Sequence, residues 1–323
     1  MRRVHGSRNS PNQRAGHAPG GGIGSAQRVG RTGLSLSRRN LLLGAGGAAT
    51  AAGLAACASG GESSVPLSSE SGNALIAAFP QSAPHIPVGI PTRLPFMISD
   101  AEGVPYETLD GEVGFAVVKD GQEVASEVVA PRSEGIPRAY LPLNVQLDEA
   151  GIYDVIATYQ GNPIESRFEV FAPEEVESPV VGQQLPPAFT ATNLNPGLID
   201  PMCTLVPQCP FHEVNLQDAT GTGTRIALLV ATPAFCQTAF CGPTLGNLVD
   251  LASDREDLIV IHSEVYQRPK LESSDLSAAQ LAPVPDAYGL AIEPVLYVTD
   301  ARSTITARAD ALIDRSEMEE LLA

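Results

Sequence analysis

Two cysteines, Cys236 and Cys241, stand between a continuous apolar run at residues 226–231 and a helix predicted for residues 243–252. The run is typical of a strand buried on both faces, and Pro243 suits the first turn of a helix. A helix N-terminus carries unpaired N–H groups and partial positive charge, which lower the pKa of a nearby thiol. The pattern therefore predicts thiol–disulfide chemistry. Cys241 is favoured as the attacking thiol because it is closer to the helix start, although the sequence alone does not decide between the two.

Two further cysteines, Cys203 and Cys209, lie in a proline-rich segment with little periodicity. In an oxidising compartment an even number of cysteines indicates disulfides or redox-active pairs, and a structural disulfide between these two is the preferred interpretation. His212 follows Cys209 at a Cys-x-x-His spacing, which alone is a weak metal signal. His262 lies inside a predicted buried strand and is interpreted as a core histidine. His212 and His262 are kept as alternative metal ligands, since thiolate and imidazole suit copper.

The part of the chain that must position these groups begins near residue 225, where apolar runs alternate with helical patterns. Strands are predicted at 226–231, 258–262, 294–298 and 304–309, and helices at 243–252, 274–281 and 316–322. Residues 73–172 differ, because short apolar runs there are separated by Pro and Gly. Strands are predicted in that region at 91–98, 113–118, 123–130 and 139–147, with a further hairpin over 153–171. The Asp120-Gly121 pair and the turn at Gln160-Gly161 mark two hairpins.

The order of elements after residue 222 resembles the thioredoxin fold. Phe240-Cys241-Gly242-Pro243-Thr244 is similar to the thioredoxin active-site sequence, with Thr244 in place of the second cysteine. The resemblance implies thiol–disulfide exchange through Cys236 and Cys241, next to a cis-proline at Pro294. Four residues separate these cysteines, whereas two separate those of thioredoxins, and this changes the reduction potential. An inert disulfide that clamps the loop is the alternative.

Two other families with related motifs give competing hypotheses. Sco-type copper chaperones carry two cysteines in the same loop and a later histidine, for which His262 is the available residue after the pair. Thr238-Ala239-Phe240-Cys241 resembles the Thr-x-x-Cys of peroxiredoxins, whose chemistry needs a nearby arginine, and Arg308 is the candidate. No cofactor is predicted, with copper as the alternative.

The first 56 residues contain eight Arg and neither Asp nor Glu. Ser37-Arg38-Arg39-Asn40-Leu41-Leu42 resembles the twin-arginine export signal, and an apolar stretch too short to span a membrane comfortably follows it. Leu54-Ala55-Ala56-Cys57 resembles the lipobox of bacterial lipoproteins. This implies cleavage before Cys57 and a lipid on its thiol, so the rest of the chain is predicted to lie on the extracytoplasmic face of the cell membrane.

From Cys57 onward, 12 basic residues face 37 acidic ones. Such a charge balance repels phosphate backbones and argues against nucleic-acid binding. The predicted partners are thiols of exported proteins or a membrane electron donor, and the lipid supplies the contact with the membrane.

The predicted organisation is a signal peptide at 1–56, a flexible tether at 57–72, a domain at 73–172, a linker at 173–200 and a domain at 201–323. The predicted fold class is an N-terminal all-β immunoglobulin-like sandwich followed by a C-terminal α/β thioredoxin-like fold. The predicted function is that of a membrane-anchored, extracytoplasmic thiol–disulfide oxidoreductase. The alternative is a Sco-like copper-binding protein or a non-catalytic binding lipoprotein.

Overall fold

Antiparallel strands with alternating burial make up the amino-terminal half of the described chain. The computed structural model describes residues 72–269, 276 and 279–323. The predicted signal peptide, Cys57 and all but the last residue of the predicted tether therefore lie outside the described residues. The strands are β1 (Ala74–Ala77), β2 (Thr92–Ser99), β3 (Val113–Lys119), β4 (Gln122–Val129), β5 (Leu141–Val145), β6 (Gly151–Tyr159) and β7 (Asn162–Val170), followed by a 3-10 turn at Pro173–Glu175.

These seven strands form two antiparallel sheets, in the orders β1-β2-β5 and β4-β3-β6-β7. In β3, β6 and β7 every second side chain is buried, as expected where one face of a sheet meets a core. Phe96 of the first sheet and Phe115 of the second belong to the same apolar cluster, with their ring centroids 5.7 Å apart. The two sheets therefore share a core.

Both predicted hairpin turns are confirmed. Asp120 and Gly121 connect β3 to β4 and have φ values of 50° and 78°. Gln160 and Gly161 connect β6 to β7 and have φ values of 51° and 78°. Two consecutive positive φ angles match the right-handed twist of the flanking strands, which explains why these two-residue turns fix the register.

A third, mixed sheet forms after residue 224, in the order β11-β10-β8-β9. β8 and β9 are parallel, while β10 pairs antiparallel with both β8 and β11. In the parts of the chain that the structure describes, no helix combines the length and apolarity needed to cross a bilayer. The elements are α1 (Leu216–Ala219), β8 (Arg225–Val230), α2 (Cys241–Ala252), β9 (Leu258–Ser263), α3 (Pro283–Ala287), β10 (Val295–Thr299), β11 (Ile305–Asp310) and α4 (Arg315–Leu322).

Both faces of the third sheet are buried, as the continuous apolar run of β8 predicts. Ala227 and Leu229 face α2 and α4, whereas Leu228 and Val230 face the opposite side. On that opposite side Leu185 and Ala188 come from the irregular, proline-rich segment 176–215. Much of this face is therefore covered by chain without regular secondary structure.

The predicted fold class is wrong. The described chain is mostly β, with three sheets, 34% strand and 13% helix, and does not have the character of an α/β thioredoxin-like domain. The physical reason lies in the connection between β9 and β10, which contains little helix in the described residues. The helix predicted at 274–281 lies largely outside the described residues, and Leu281 instead forms a β-bridge with Tyr266. The helix that follows, α3, has five residues and contains Pro283 and Pro285, which favour a helix start but cannot extend a hydrogen-bonded helix.

A buried ion pair joins the first sheet to α4. Arg93 of β2 donates two hydrogen bonds of 2.6 Å to the carboxylate of Glu317, in a bidentate arrangement. The hydroxyl of Tyr140 donates to the same carboxylate, and Arg93 also donates to the carbonyl of Asp310 at 3.1 Å. Asp314 caps α4 by accepting from the Glu317 N–H at 2.8 Å, which fixes the start of the helix. The three sheets belong to one compact unit.

Replacing Glu317 by Gln is expected to lower the free energy of unfolding by about 3–5 kcal/mol, because it leaves the buried Arg93 guanidinium without its counter-charge. Urea denaturation of the wild type and of Glu317→Gln, followed by circular dichroism, measures this difference.

Glu320→Gln is the matched control on the same helix. Its carboxylate is 62% exposed and pairs with Arg132 at the surface. Loss of this surface ion pair is expected to lower the free energy of unfolding by about 0–1 kcal/mol. Equal effects of the two substitutions would show that the buried pair contributes no more than a surface pair.

Candidate functional site

Cys236 and Cys241 are joined by a disulfide at the start of α2. Cys241 is the first residue of the helix and is fully buried, whereas Cys236 lies in the preceding loop and is half-buried. The residue before the helix is Phe240, whose side chain has no group to cap the free N–H groups of the first turn. Cys241 therefore lies in a first helical turn whose N–H groups have no side-chain cap. Cys236 is the more exposed of the two cysteines, and the full burial of Cys241 argues against its preference as the attacking thiol.

Thr232, which follows β8 and is fully buried, holds the loop that carries Cys236. Its carbonyl accepts from the backbone N–H of Cys236 at 2.9 Å. Its own N–H donates to the carboxylate of Glu293 at 3.0 Å, and its hydroxyl donates to Glu264 at 2.6 Å. The end of a buried strand thus fixes the disulfide loop and two acidic side chains together.

Glu293 is a functional candidate that the sequence analysis missed. Its Oε2 lies 3.5 Å from the Sγ of Cys241. Burial raises the pKa of Glu293 to about 8, against the hydrogen bond from Thr232, and the negative charge of Glu264 adds to the rise. The carboxyl can therefore give or take a proton near neutral pH. The peptide bond between Glu293 and Pro294 is cis, at the position where a cis-proline was expected. Glu293 was overlooked because the sequence motif drew attention only to the proline.

A cavity of about 220 Å³ opens beside the disulfide loop. Gln237 and Thr238, which lie between the two cysteines, form part of its wall, and Glu293 lies in it as well. The remaining wall is largely apolar, with residues that include Tyr266 and Leu290. A recess that combines apolar side chains with polar groups can serve as a binding site.

Cys203 and Cys209 form a second cluster with both predicted alternative metal ligands, His212 and His262. The expected structural disulfide between Cys203 and Cys209 is absent: both are free thiols with their sulfurs 3.7 Å apart. Cys209 Sγ lies 3.4 Å from Nε2 of His212 and 3.5 Å from Nδ1 of His262. The spacing of the sequence could not reveal this, since His262 is 53 residues from Cys209.

The position of His262 also corrects two interpretations. His262 is fully buried on β9, as a core histidine would be, but its ring contacts two possible metal ligands. The copper hypothesis required it beside Cys236 and Cys241, whereas the structure places it with the other cysteine pair.

Glu264 lies between the two clusters and is 3% exposed. One carboxylate oxygen accepts from the backbone N–H of Thr204 at 2.6 Å, and the other accepts from the hydroxyl of Thr232. Burial raises the pKa of Glu264. Thr204 also accepts from the N–H of Ala234, so the segment that carries Cys203 is bonded directly to the disulfide loop. An acid at the end of a buried strand was the signal that could have identified Glu264.

Arg308, the arginine of the peroxidase hypothesis, is engaged elsewhere. Its guanidinium bonds to Asp310 at 3.0 Å and to the carbonyl of Pro179 at 3.1 Å, and it lies over the ring of Tyr297. A guanidinium committed to these partners is poorly placed to polarise a peroxide at Cys241.

No protein-family model and no curated protein matches this chain. Among solved structures, an engineered protein is 16% identical over 31% of this chain and 20% of its own length, with a TM-score of 0.23. A superoxide reductase (neelaredoxin) from Ignicoccus hospitalis is 11% identical over 30% of this chain and 78% of its own, with a TM-score of 0.21. A structure of titin M4 is 12% identical over 30% of this chain and 94% of its own, with a TM-score of 0.19. Similarity at this level does not indicate a function.

Glu293→Gln is expected to change how stability depends on pH. The folded-state pKa of Glu293 is raised from 4.5 to about 8, so its contribution to stability is complete below pH 4.5 and is lost as the pH rises toward 8. The wild type should therefore lose roughly 4 kcal/mol relative to Glu293→Gln between pH 4.5 and pH 8, because over about three pH units of this range each unit costs about 1.4 kcal/mol. Urea denaturation of both oxidised proteins at several pH values measures the difference.

The exposed Glu320→Gln variant controls for the loss of one carboxylate. The difference between wild type and this control should stay nearly constant over the same pH range. A constant difference for Glu293→Gln as well would contradict a raised pKa of Glu293.

Proposed function

We propose that the protein is a membrane-anchored thiol–disulfide oxidoreductase that acts outside the cytoplasm through Cys236 and Cys241. The observation that carries the proposal is the position of the disulfide: Cys236 is partly exposed, and Cys241 is buried at a helix N-terminus beside a carboxyl group of raised pKa. An inert clamp would need neither a partly exposed cysteine nor an acid of raised pKa beside the buried one.

The unequal burial of the two sulfurs supports a definite order of bond exchange. A thiolate of the partner attacks Sγ of Cys236 and forms a mixed disulfide with it. The bond between Cys236 and Cys241 breaks, and its electron pair passes to Sγ of Cys241. The N-terminus of α2 stabilises this leaving thiolate, which makes Cys241 the better leaving group. A second thiol of the partner then attacks its own sulfur in the mixed disulfide, which releases Cys236 as a thiolate and leaves the partner oxidised.

Glu293 supports the same scheme as a proton donor and acceptor. With a pKa of about 8, its carboxyl is mostly protonated at neutral pH and can give its proton to the leaving Cys241 thiolate over 3.5 Å. In the reverse direction the carboxylate accepts the proton from the Cys241 thiol, which activates that thiol to close the disulfide. The role is that of a general acid and base.

The cavity beside the loop supports a peptide as the thiol-bearing partner. Its wall combines apolar side chains with Gln237 and Thr238, and the hydroxyl of Thr238 lies 3.3 Å from the Sγ of Cys236. A protein segment that presents its cysteine in an extended conformation would bury apolar side chains there. Exported proteins with reactive thiols and a membrane-bound electron donor both meet this requirement.

Cys241→Ser is expected to trap the mixed disulfide on Cys236. With glutathione disulfide it should accumulate a glutathione adduct at Cys236, because the thiol that would displace glutathione is missing. Mass spectrometry of proteolytic peptides locates the adduct and separates it from Cys203 and Cys209.

Cys236→Ser is the matched variant. Its remaining thiol, Cys241, is buried, so the adduct should form at least about tenfold more slowly. A wild-type disulfide that stays intact in a glutathione buffer able to reduce known oxidoreductases would rule out the exchange function.

The proposed location rests on the amino-terminal sequence, which lies outside the described residues. Arg38 and Arg39 precede a short apolar stretch, and the residues around Cys57 match a lipobox. The acyl chains of a lipid on Cys57 would anchor the protein durably, because each methylene buried in the membrane contributes about 0.8 kcal/mol.

Cys57→Ala is expected to abolish lipid labelling and to move the protein out of the membrane fraction. Replacing Arg38 and Arg39 together by Lys should block export, whereas Arg31→Lys, outside the motif, should leave export unchanged. Labelling with a palmitate analogue and cell fractionation measure both effects. A Cys57→Ala protein that still carries lipid would overturn the assignment of this cysteine.

A further inference from the structure

Four potential ligand atoms converge at the edge of the third sheet. Cys203, Cys209 and His212 come from the irregular segment before α1, and His262 comes from β9. The ligand atoms of all four lie within 4.8 Å of one another. The backbone carbonyl of Phe211 accepts from the N–H of His262 at 3.1 Å, which holds the irregular segment against β9 at this point.

The distances match those of a tetrahedral site with two sulfur and two nitrogen ligands. Around one Zn²⁺, bond lengths of about 2.3 Å to sulfur and about 2.05 Å to nitrogen give roughly 3.8 Å between sulfurs, 3.6 Å from sulfur to nitrogen and 3.4 Å between nitrogens. The corresponding distances here are 3.7 Å between Cys203 and Cys209, 3.4 and 3.5 Å from Cys209 to the histidines, and 3.3 Å between the histidine nitrogens. A single centre can therefore bind all four atoms.

Each imidazole has one ring nitrogen inside the cluster, the inner nitrogen, and one outside it, the outer nitrogen. A hydrogen bond from the outer nitrogen to a backbone carbonyl orients the ring. Nδ1 of His212 lies 3.3 Å from the carbonyl of Ala191, and Nε2 of His262 lies 3.0 Å from the carbonyl of Ala231. A carbonyl only accepts hydrogen bonds, so these ring nitrogens carry the protons. In neutral rings, the form in which histidine binds a metal, the inner nitrogens would present lone pairs to each other across 3.3 Å. Metal-binding histidines show this same arrangement, in which a backbone carbonyl sets the tautomer.

Charge favours the same conclusion. Two thiolates and two neutral imidazoles around a divalent cation form a neutral centre, which tolerates burial far better than any separate charge. Cys209, His212 and His262 are each 4% exposed or less. A disulfide would use the two sulfurs but would leave the facing lone pairs of the histidines unexplained.

We propose that Cys203, Cys209, His212 and His262 bind one Zn²⁺ as a structural centre. Tetrahedral S₂N₂ sites are typical of zinc, and four protein ligands leave no open position for a reacting water. The ion holds the irregular segment on the edge strand β9. Through Thr204, which bonds to Ala234 and Glu264, it also steadies the loop that carries Cys236.

The test uses the full chain, purified under reducing conditions and stripped with a chelator. We expect one Zn²⁺ per chain on reconstitution, and with Co²⁺ the visible and near-ultraviolet absorption of a tetrahedral thiolate complex. Cys203→Ser changes the half-buried ligand, so the fold should survive, and its Zn²⁺ affinity should fall by at least about 100-fold. The double variant Cys236→Ser/Cys241→Ser should bind Zn²⁺ as the wild type does, which separates this site from the exchange site.

A second measurement on the wild type does not depend on any variant. Bound Zn²⁺ should protect Cys203 and Cys209 from an alkylating reagent, and a chelator should remove the protection. Unchanged Zn²⁺ binding in Cys203→Ser, uptake of Cu⁺ without uptake of Zn²⁺, or a Co²⁺ spectrum without thiolate bands would each overturn the proposal. Failure of thiol–disulfide exchange would leave it intact, since the two sites share no ligand.

Discussion

The hydrogen bonds of Thr232 are the constraint on which the rest of the site depends. A single buried residue binds Glu293 through its N–H, Glu264 through its hydroxyl and the Cys236 N–H through its carbonyl. Burial raises the pKa of both carboxyl groups against the hydrogen bonds that Thr232 donates to them, and the charge of Glu264 adds to the rise for Glu293. Thr232 therefore fixes the positions of both carboxyl groups and of the loop that carries Cys236.

The two sulfur clusters differ because of where their cysteines lie in the chain. Cys236 and Cys241 are joined across one tight loop into a helix, with Cα atoms 6.1 Å apart, which suits a disulfide. Cys203 and Cys209 lie in an irregular segment whose neighbours on the sheet include two imidazoles. The two pairs of cysteines thus have different neighbours although they lie close together. Thr204 and Glu264 connect the two regions by hydrogen bonds.

The sequence predicts the strands well because their apolar periodicity is local. β3, β6 and β8 lie within two residues of the predicted positions, and the helix that starts beside Cys241 is found as well. The fold class could not be predicted in the same way, because it depends on what covers the sheets. Here much of that cover is the irregular segment 176–215, which has no periodicity to recognise. The association of Cys209 with His262 is equally invisible, since it forms only when that segment meets β9.

The ion pair between Arg93 and Glu317 has a consequence for the evolution and engineering of the protein. Its two halves are contributed by β2 and α4, and His85 bonds to Asp310 at 3.1 Å in the same region. A fragment that began after residue 173 would keep both sulfur clusters but would leave Glu317 without Arg93, and Asp310 with Arg308 but without His85. The carboxy-terminal sheet is thus not independent of the first sheet. A recombinant protein that contained it without the first sheet would need other residues in place of Asp310 and Glu317.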